Sequence, residues 1–371
     1  MNNNWNDKSV LQLAEVGLLA EFCFPTRELL AWYTKCARDL PWRQQPTAYH
    51  TWISEIMLQQ TRVETVIPYY QRFLEALPTI QALAEAEEDR LLKLWQGLGY
   101  YNRVRNMQKT AQLLMQEHHS TLPSSPAELV KLAGIGDYTA AAIASIAYGV
   151  VIPVLDGNVL RVMARVLAVQ AEIEAAAVKK VLQQIACTWI SKEMPGDYNQ
   201  AMMDLGAAIC LPNGAPLCAA CPLQSVCLAY RLNRSDLPKR KAKTERKRQA
   251  LTVLVIQSND QFLLHRRSSK GLLARLWEFP NFPGNLEEKE IKQLLQNSQI
   301  PLLAIKQLPK GRHIFTHIEW EMTAWKLEIA GEKPFLQGVW VTKEEMAKDY
   351  AIPNAFAFLL GPLLLQKEEK S

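Results

Sequence analysis

Apolar residues recur at intervals of three and four through the first part of the chain, and that rhythm predicts a mainly helical half. Helix-length amphipathic stretches fall at 28–37, 48–60, 88–96 and 158–169, separated by Pro and Gly breaks. An uncharged, Ala-rich stretch covers 138–155 and is interrupted by Gly149 and Pro153. It reads as a buried core helix followed by a short apolar segment, not as a membrane span. Beyond residue 249 the rhythm changes. Short apolar runs at 251–256, 262–265, 322–329 and 339–342 predict strands, and polar stretches at 287–296 and 343–349 predict helices. This part is α+β. Between the two halves, residues 236–248 read as an exposed basic linker with Pro238 near its start. The expected organisation is an N-terminal extension over 1–25, a helical domain over 26–235, the linker, and a smaller domain over 249–366.

Composition narrows the function classes. With 49% hydrophobic and 21% charged residues, the chain is an ordinary globular sequence and not a disordered one. The linker alone holds seven basic and two acidic residues, and the rest of the chain balances at 35 of each. There is no global cationic field, so a polyanion must be held by local patches and oriented backbone amides. The first 24 residues carry Asp7, Glu15 and Glu21 among their apolar positions and do not read as a secretory signal. A cytoplasmic monomer with no membrane partner is the expectation.

Candidate chemistry sits at four places. Four of the seven cysteines crowd into the spacing Cys210-x7-Cys218-x2-Cys221-x5-Cys227, which predicts a metal site; spacing alone does not separate zinc from an iron–sulfur cluster. The segment Leu132-Ala-Gly-Ile-Gly136 precedes Asp137-Tyr138-Thr139 and an Ala-rich helix. Gly134 and Gly136 can bring backbone amides and a helix N-terminus to a phosphate, although a plain interhelical turn would look the same. Glu55 lies well off the centre of the apolar face made by Trp52, Ile53, Ile56 and Met57, so periodicity places it on a helix flank. Asp156 follows the apolar run 150–155 and reads as the N-cap of the next helix.

Taken together, the hairpin and the cysteine loop resemble the endonuclease III superfamily of helix-hairpin-helix DNA glycosylases. Leu40-Pro-Trp-Arg43, Ser54-Glu-Ile-Met-Leu-Gln-Gln-Thr61, Gly97-Leu-Gly-Tyr-Tyr101, Leu155-Asp-Gly-Asn-Val159 and Asn199-Gln-Ala-Met-Met-Asp-Leu-Gly206 look like its adenine DNA glycosylase (MutY) branch. The resemblance implies a helix-hairpin-helix glycosylase fold, with the hairpin at about 127–147, and one [4Fe-4S] cluster on Cys210, Cys218, Cys221 and Cys227. The family spacing before the second cysteine is x6; here it is one residue longer. No Lys or Arg lies between Cys210 and Tyr230, where the family loop is usually basic.

The same resemblance implies that Glu55 protonates an extruded adenine and that Asp156 stabilises the cationic sugar, with Tyr138 and Asn158 orienting them. Tyr138 stands where strand-cleaving relatives carry a lysine nucleophile, so hydrolysis without strand scission is expected. Arg43 and Gln200 are implied at the adenine edge; Gln60, Thr61, Leu98 and Tyr100 at the stack and the opposite base. Gly271-Leu-Leu-Ala-Arg-Leu-Trp-Glu-Phe-Pro280 and His313-Ile-Phe-Thr-His317 resemble the Nudix-like C-terminal domain of the family. Phe315, Thr316 and His317 stand where the family has Phe-Ser-His, the loop that reads 8-oxoguanine. Residues 287–299 lack the acidic magnesium helix of a Nudix hydrolase, so pyrophosphate hydrolysis is not expected. The implied partner is double-stranded DNA carrying adenine opposite 8-oxoguanine.

Overall fold

The computed structural model describes residues 23–239 and 245–365. Most of the expected N-terminal extension, residues 240–244 of the linker and residues 366–371 lie outside the described residues. The helical half runs through α1 (Thr26–Cys36), α2 (Pro41–Gln44), α3 (Ala48–Leu58), α4 (Val63–Ala76), α5 (Ile80–Glu85), α6 (Glu88–Leu94), α7 (Asn102–Glu117), α8 (Pro126–Leu129), α9 (Asp137–Tyr148), α10 (Gly157–Val166), α11 (Ala176–Trp189) and α12 (Pro195–Ala208). Beyond the cysteine loop comes a single turn, α13 (Leu228–Arg231). The four predicted amphipathic helices are present, each ending one to three residues short of its apolar pattern.

The chain divides at Ala84/Glu85, Arg105/Asn106 and Ala242/Lys243 into two compact units. Segment 85–105, expected inside the helical domain, therefore packs with the C-terminal residues. Hydrogen bonds explain why. Lys93 Nζ donates to the carbonyls of Met346 (3.4 Å) and Tyr350 (2.9 Å), and Gln96 Nε2 donates to that of Ile352 (2.8 Å). Glu88 also pairs with Arg105 and Arg275, at 3.2 and 2.7 Å.

In the first unit α1, α10, α11 and α12 enclose a core that includes Leu29, Met163, Leu182 and Leu205, none of them exposed to solvent. Helix α10 sits at its middle. Every residue from Val159 to Val166 is buried, Arg161 and Arg165 included. Close approach between α10 and α12 requires Gly206, where a Cβ would stand 2.6 Å from Asn158 Cβ. Helix α9 is the core helix expected from the Ala-rich stretch. It stops at Gly149, which takes the left-handed conformation (φ +67°) that ends helices without a Cβ penalty. The following segment to Asp156 is held by one side chain. Asn199 Nδ2 donates to Ser145 Oγ and Ile152 O, both at 2.9 Å, and Val154 N–H donates to Asn199 Oδ1 at 3.0 Å.

The second unit is built on β1 (Lys247–Ser258), β2 (Gln261–Arg266), β3 (Trp277–Glu278), β4 (Asn281–Pro283), α14 (Glu288–Asn297), β5 (Leu302–Ile314), β6 (Ile318–Ile329), β7 (Val339–Thr342), α15 (Lys343–Lys348) and α16 (Ala357–Leu365). The sheet runs β3-β2-β1-β6-β5, with β4 also on β1 and β7 also on β2. Among the described residues, only the β1–β6 pair is parallel. Strand β1 alternates between two cores: Leu251, Val253 and Val255 join the core that includes Met346 and Phe356, while Leu254 and Ile256 join that of α14. All four predicted strands and both predicted helices exist. The long β5 does not follow from the pattern, because it is an edge strand exposed along most of its length, contains Pro309 and Gly311, and shifts register twice against β6.

Candidate active site

Helix α3 begins at Thr47, whose hydroxyl accepts from His50 N–H, and then runs buried from Tyr49 to Met57 except at His50. The stretch is apolar on so much of its circumference that Glu55 is enclosed too, only 5% exposed. This corrects the helix-flank expectation drawn from periodicity. The carboxylate faces a cavity of about 460 Å³ in the first unit, lined also by Arg38, Arg43, Gln60, Thr61, Tyr138, Asp156, Asn158 and Gln200. Eight of the sequence-derived site residues thus converge there. Among the described residues no lysine lines it.

Tyr138 is delivered by the first turn of α9, after a loop in which Gly134 takes φ +79° and a Cβ would stand 2.8 Å from Asn106 Cβ. Gly134 is glycine for conformation and for space. Gly136 is the N-cap in ordinary extended backbone (φ −94°) with open space around it, so its lack of a side chain leaves the helix start uncapped. The Tyr138 hydroxyl donates a short hydrogen bond to Glu55 Oε2 and also lies 3.5 Å from Met203 Sδ. Burial, then the charges of Glu55 and Asp156, hold the phenol pKa far above its ordinary value, so it remains a donor.

Asp156 is the N-cap of α10, as expected, with Oδ1 accepting from Val159 N–H at 2.7 Å. Its Oδ2 accepts from Asn158 Nδ2 at 2.8 Å. Burial raises its pKa against those two hydrogen bonds. Burial also dominates at Glu55, pushed up to about 7; the Tyr138 hydrogen bond opposes this, the Asp156 charge adds to it, and Arg43 opposes it. At neutral pH Glu55 is therefore poised between acid and base.

Sequence reasoning named Arg43 but missed Arg38 on the same cavity and the two buried arginines of α10 behind Asn158. Arg38 and Arg43 both clasp Asp204, a carboxylate of α12 that is 1% exposed. Arg161 donates to Asn158 Oδ1 (2.9 Å) and to the carbonyls of Gly206 (2.7 Å) and Cys210 (2.8 Å). One turn on, Arg165 donates to Cys210 Sγ at 3.2 Å and to Leu211 O at 2.9 Å. Two arginines four apart in an otherwise apolar helix were the signal available.

Cys210, Cys218, Cys221 and Cys227 line one further cavity of about 350 Å³ in the same unit. Burial and then the charge of the other three push Cys221 up to about 12, against a hydrogen bond from the Leu223 backbone. Among the described residues, no three His, Cys, Asp or Glu side chains gather in the way one metal ion would require.

The remaining candidates belong to the second unit. Phe315, Thr316 and His317 form the turn between β5 and β6, closed by Phe315 N–H donating to Ile318 O at 2.8 Å. The Phe315 ring packs edge-on against Trp320, and the Thr316 and Tyr100 hydroxyls are hydrogen-bonded at 2.9 Å. Tyr100 is half exposed whereas Leu98 is buried. Gln60 and Tyr100 both hold φ near +50 to +60°, a strained setting for side-chain-bearing residues.

Two family models match, an HhH-GPD superfamily base excision DNA repair protein over residues 53–187 and a NUDIX domain over residues 252–360. Adenine DNA glycosylase of Rattus norvegicus is 36% identical over 382 residues, covering 86% of this chain and 74% of the relative. The chain belongs to the adenine DNA glycosylase family. The Homo sapiens member of that family is 34% identical, with 85% of this chain and 70% of the relative covered. The structure of a thermostable thymine-DNA glycosylase superposes with a TM-score of 0.52 at 23% identity, over 60% of this chain and 99% of that one, and shares the helical fold.

The raised Glu55 pKa has a consequence for folding. In an unfolded chain the group titrates near its ordinary 4.5, and in the folded protein near 7. The folded state binds the extra proton between these values, so stability present below about pH 5 is lost as pH rises through 7, by about 3 kcal/mol. Glu55→Gln should then raise the thermal midpoint at about pH 8 and lose that advantage at about pH 5, as followed by circular dichroism melts at both.

Proposed function

We propose that the chain is a monofunctional adenine DNA glycosylase that hydrolyses the N-glycosidic bond of adenine opposite 8-oxoguanine in duplex DNA. The observation that carries this is the buried Glu55–Tyr138 hydrogen bond beside the N-capping carboxylate of Asp156. A purine leaves deoxyribose readily only when its ring is protonated and the cationic sugar is stabilised. Glu55, half protonated near neutrality, supplies the proton to adenine N7. As the bond between C1′ and N9 breaks, its electron pair goes to the base and positive charge grows on the sugar.

Asp156 stands ready for that charge, its two oxygens fixed by Val159 N–H and the Asn158 amide. Water adds at C1′ and gives up a proton, leaving an abasic site. The Tyr138 hydroxyl is committed to Glu55 and offers no amine for a Schiff base, so the strand stays intact. The cavity of about 460 Å³ is ample for one purine turned out of the duplex. The uncapped start of α9 presents backbone amides suited to a DNA phosphate.

The cysteine loop fits a [4Fe-4S] cluster on Cys210, Cys218, Cys221 and Cys227. Four thiols line one cavity, and burial together with repulsion from neighbouring thiolates disfavours the charged forms of Cys221 and Cys227, which a polycationic centre would neutralise. A cluster of this kind takes one thiolate at each of four corners, which matches four cysteines lining one cavity. When bound, the cluster supplies structural cross-linking of the loop. Arg165, donating to Cys210 Sγ, would offset the negative charge of that ligand set.

Recognition of the partner base is assigned to Thr316, with Phe315, His317 and Tyr100 around it. A threonine hydroxyl can serve as the serine hydroxyl of the family loop does, as donor or acceptor.

The deciding experiment incubates the protein with a duplex carrying adenine opposite 8-oxoguanine and resolves the strands with and without hot alkali. Strand breaks should require the alkali, and Glu55→Gln should lower single-turnover excision by roughly two orders of magnitude or more. Alkali-independent scission, or undiminished excision, contradicts the reading. Thr316→Ala should reduce the rate ratio between 8-oxoguanine and guanine opposite adenine. A visible charge-transfer absorbance that disappears when Cys221→Ser is introduced is expected of the purified protein.

A further inference from the structure

Two arginines of the cavity wall belong to an ion cluster whose centre is a carboxylate with no assigned role. Asp204 is 1% exposed, and its two oxygens accept five hydrogen bonds. Arg38 contributes its backbone N–H (3.3 Å), Nε (2.8 Å) and Nη2 (2.5 Å). Arg43 contributes Nη1 (2.8 Å) and Nη2 (2.9 Å), and its Nη1 also donates to Arg38 O at 3.1 Å. The guanidinium of Arg43 further lies 5.5 Å from the Tyr33 ring centroid. Both arginines line the base cavity, as does Gln200, one turn before Asp204 on the same face of α12. The Nε–H of Arg43 is buried and has no hydrogen-bond partner among the described residues.

A buried donor without a partner costs free energy that a native protein retains where a ligand later accepts the bond. We propose that Asp204 is a positioning residue: it locks Arg38 and Arg43 into one wall of the base cavity, leaving the Arg43 Nε–H for a lone pair of the extruded adenine. A long, flexible guanidinium would otherwise swing toward water or toward Glu55 itself. The bidentate clasp removes that freedom, and one negative charge offsets half of the two positive ones. Asp204 thereby also governs how much positive potential reaches the acid.

This rests on the reading of Glu55 as the proton donor. The groups facing Glu55 are Tyr138 from α9, Asp156 at the start of α10 and Arg43 from α2, with Arg38 and Asp204 behind Arg43. Removing the Asp204 charge leaves two uncompensated cations, which favours the Glu55 carboxylate. The alkaline limb of the rate profile then moves to lower pH. Removing Arg38 instead leaves Asp204 to neutralise Arg43 alone, and the limb moves to higher pH. A role in packing alone does not produce opposite signs.

The test measures single-turnover adenine excision across pH for the whole protein and for Asp204→Asn, Asp204→Glu and Arg38→Gln, with affinity read on a duplex carrying a non-hydrolysable 2′-fluoro-deoxyadenosine. Asp204→Asn should lose about ten- to hundredfold in rate. Its alkaline limb should fall by roughly half a pH unit or more, and Asp204→Glu should restore part of both. Arg38→Gln, at a residue one-third exposed, keeps the test open should Asp204→Asn fail to fold, and its limb should rise. Limbs that stay fixed or move the same way overturn the proposal. Glu55→Gln assayed alongside separates the two readings. Undiminished excision there removes the acid itself, whereas fixed limbs with an inactive Glu55→Gln remove only the positioning role.

Discussion

A carboxyl group enclosed away from water is the constraint on which the catalytic unit is built. Burial of Glu55 shifts its titration to about 7, and that shift exists only while α3, α9 and α10 keep solvent from it. The enclosure is expensive in stability, and the fold offsets it locally. The Tyr138 hydroxyl satisfies one oxygen, and Arg43 supplies a distant positive charge. Neither neutralises the group outright. An ion pair to Glu55 itself would return it to a permanent carboxylate. The arginines instead spend their hydrogen bonds on Asp204.

Helix α10 carries the second half of the arrangement. Its N-terminus is capped by Asp156, so one hydrogen bond from Val159 both starts the helix and fixes an oxygen at the cavity. Its middle is buried on every side, an environment in which a guanidinium survives only if fully hydrogen-bonded. Arg161 meets that demand by joining Asn158 to the carbonyls of Gly206 and Cys210, and Arg165 by reaching Cys210 Sγ and Leu211 O. The cysteine loop and the Asp156–Asn158 pair are thus held by a single rigid element. Disturbing the loop disturbs the orientation of Asn158, and through it Asp156. That gives a structural reason for a cysteine loop outside the cavity.

The architecture was legible wherever periodicity and turn chemistry spoke without competition. The Ala-rich α9, its Gly149 stop, the Asp156 cap and the four strands with strong apolar runs all followed from local pattern. Glu55 was legible as a pocket residue only through its motif, since periodicity alone put it on a helix flank. A wheel centred on Trp52 and Ile56 assigns one buried face, whereas α3 is surrounded. Strand β5 escaped for the opposite reason, since an exposed edge strand with Pro309 and Gly311 has no apolar alternation to read. The pairing of Asp204 with Arg38 and Arg43 was invisible in principle, although Arg43 itself was named as a site residue. Their ion pairs join residues more than 160 positions apart, and no local signal marks a charge that will find its partner only in the folded core.

The Glu55 cavity and the 315–317 turn fall on different compact units, and the boundary does not follow the family match. Segment 85–105 lies inside the matched residues 53–187, yet its hydrogen bonds and ion pairs run to Arg275, Met346, Tyr350 and Ile352. That segment carries Tyr100, whose hydroxyl already engages Thr316. A side chain of the family's helical signature and a side chain of the Nudix-like turn therefore share one hydrogen bond within one unit. If that turn reads the partner base, Tyr100 reads with it, because any group that takes the Thr316 hydroxyl must either displace the Tyr100 hydroxyl or share the Thr316 hydroxyl with it. The strained backbone at Tyr100 persists only while its surroundings enforce it. The Arg103 guanidinium over its ring and the bond to Thr316 are two such restraints, and the second of them is available to respond to what the turn binds.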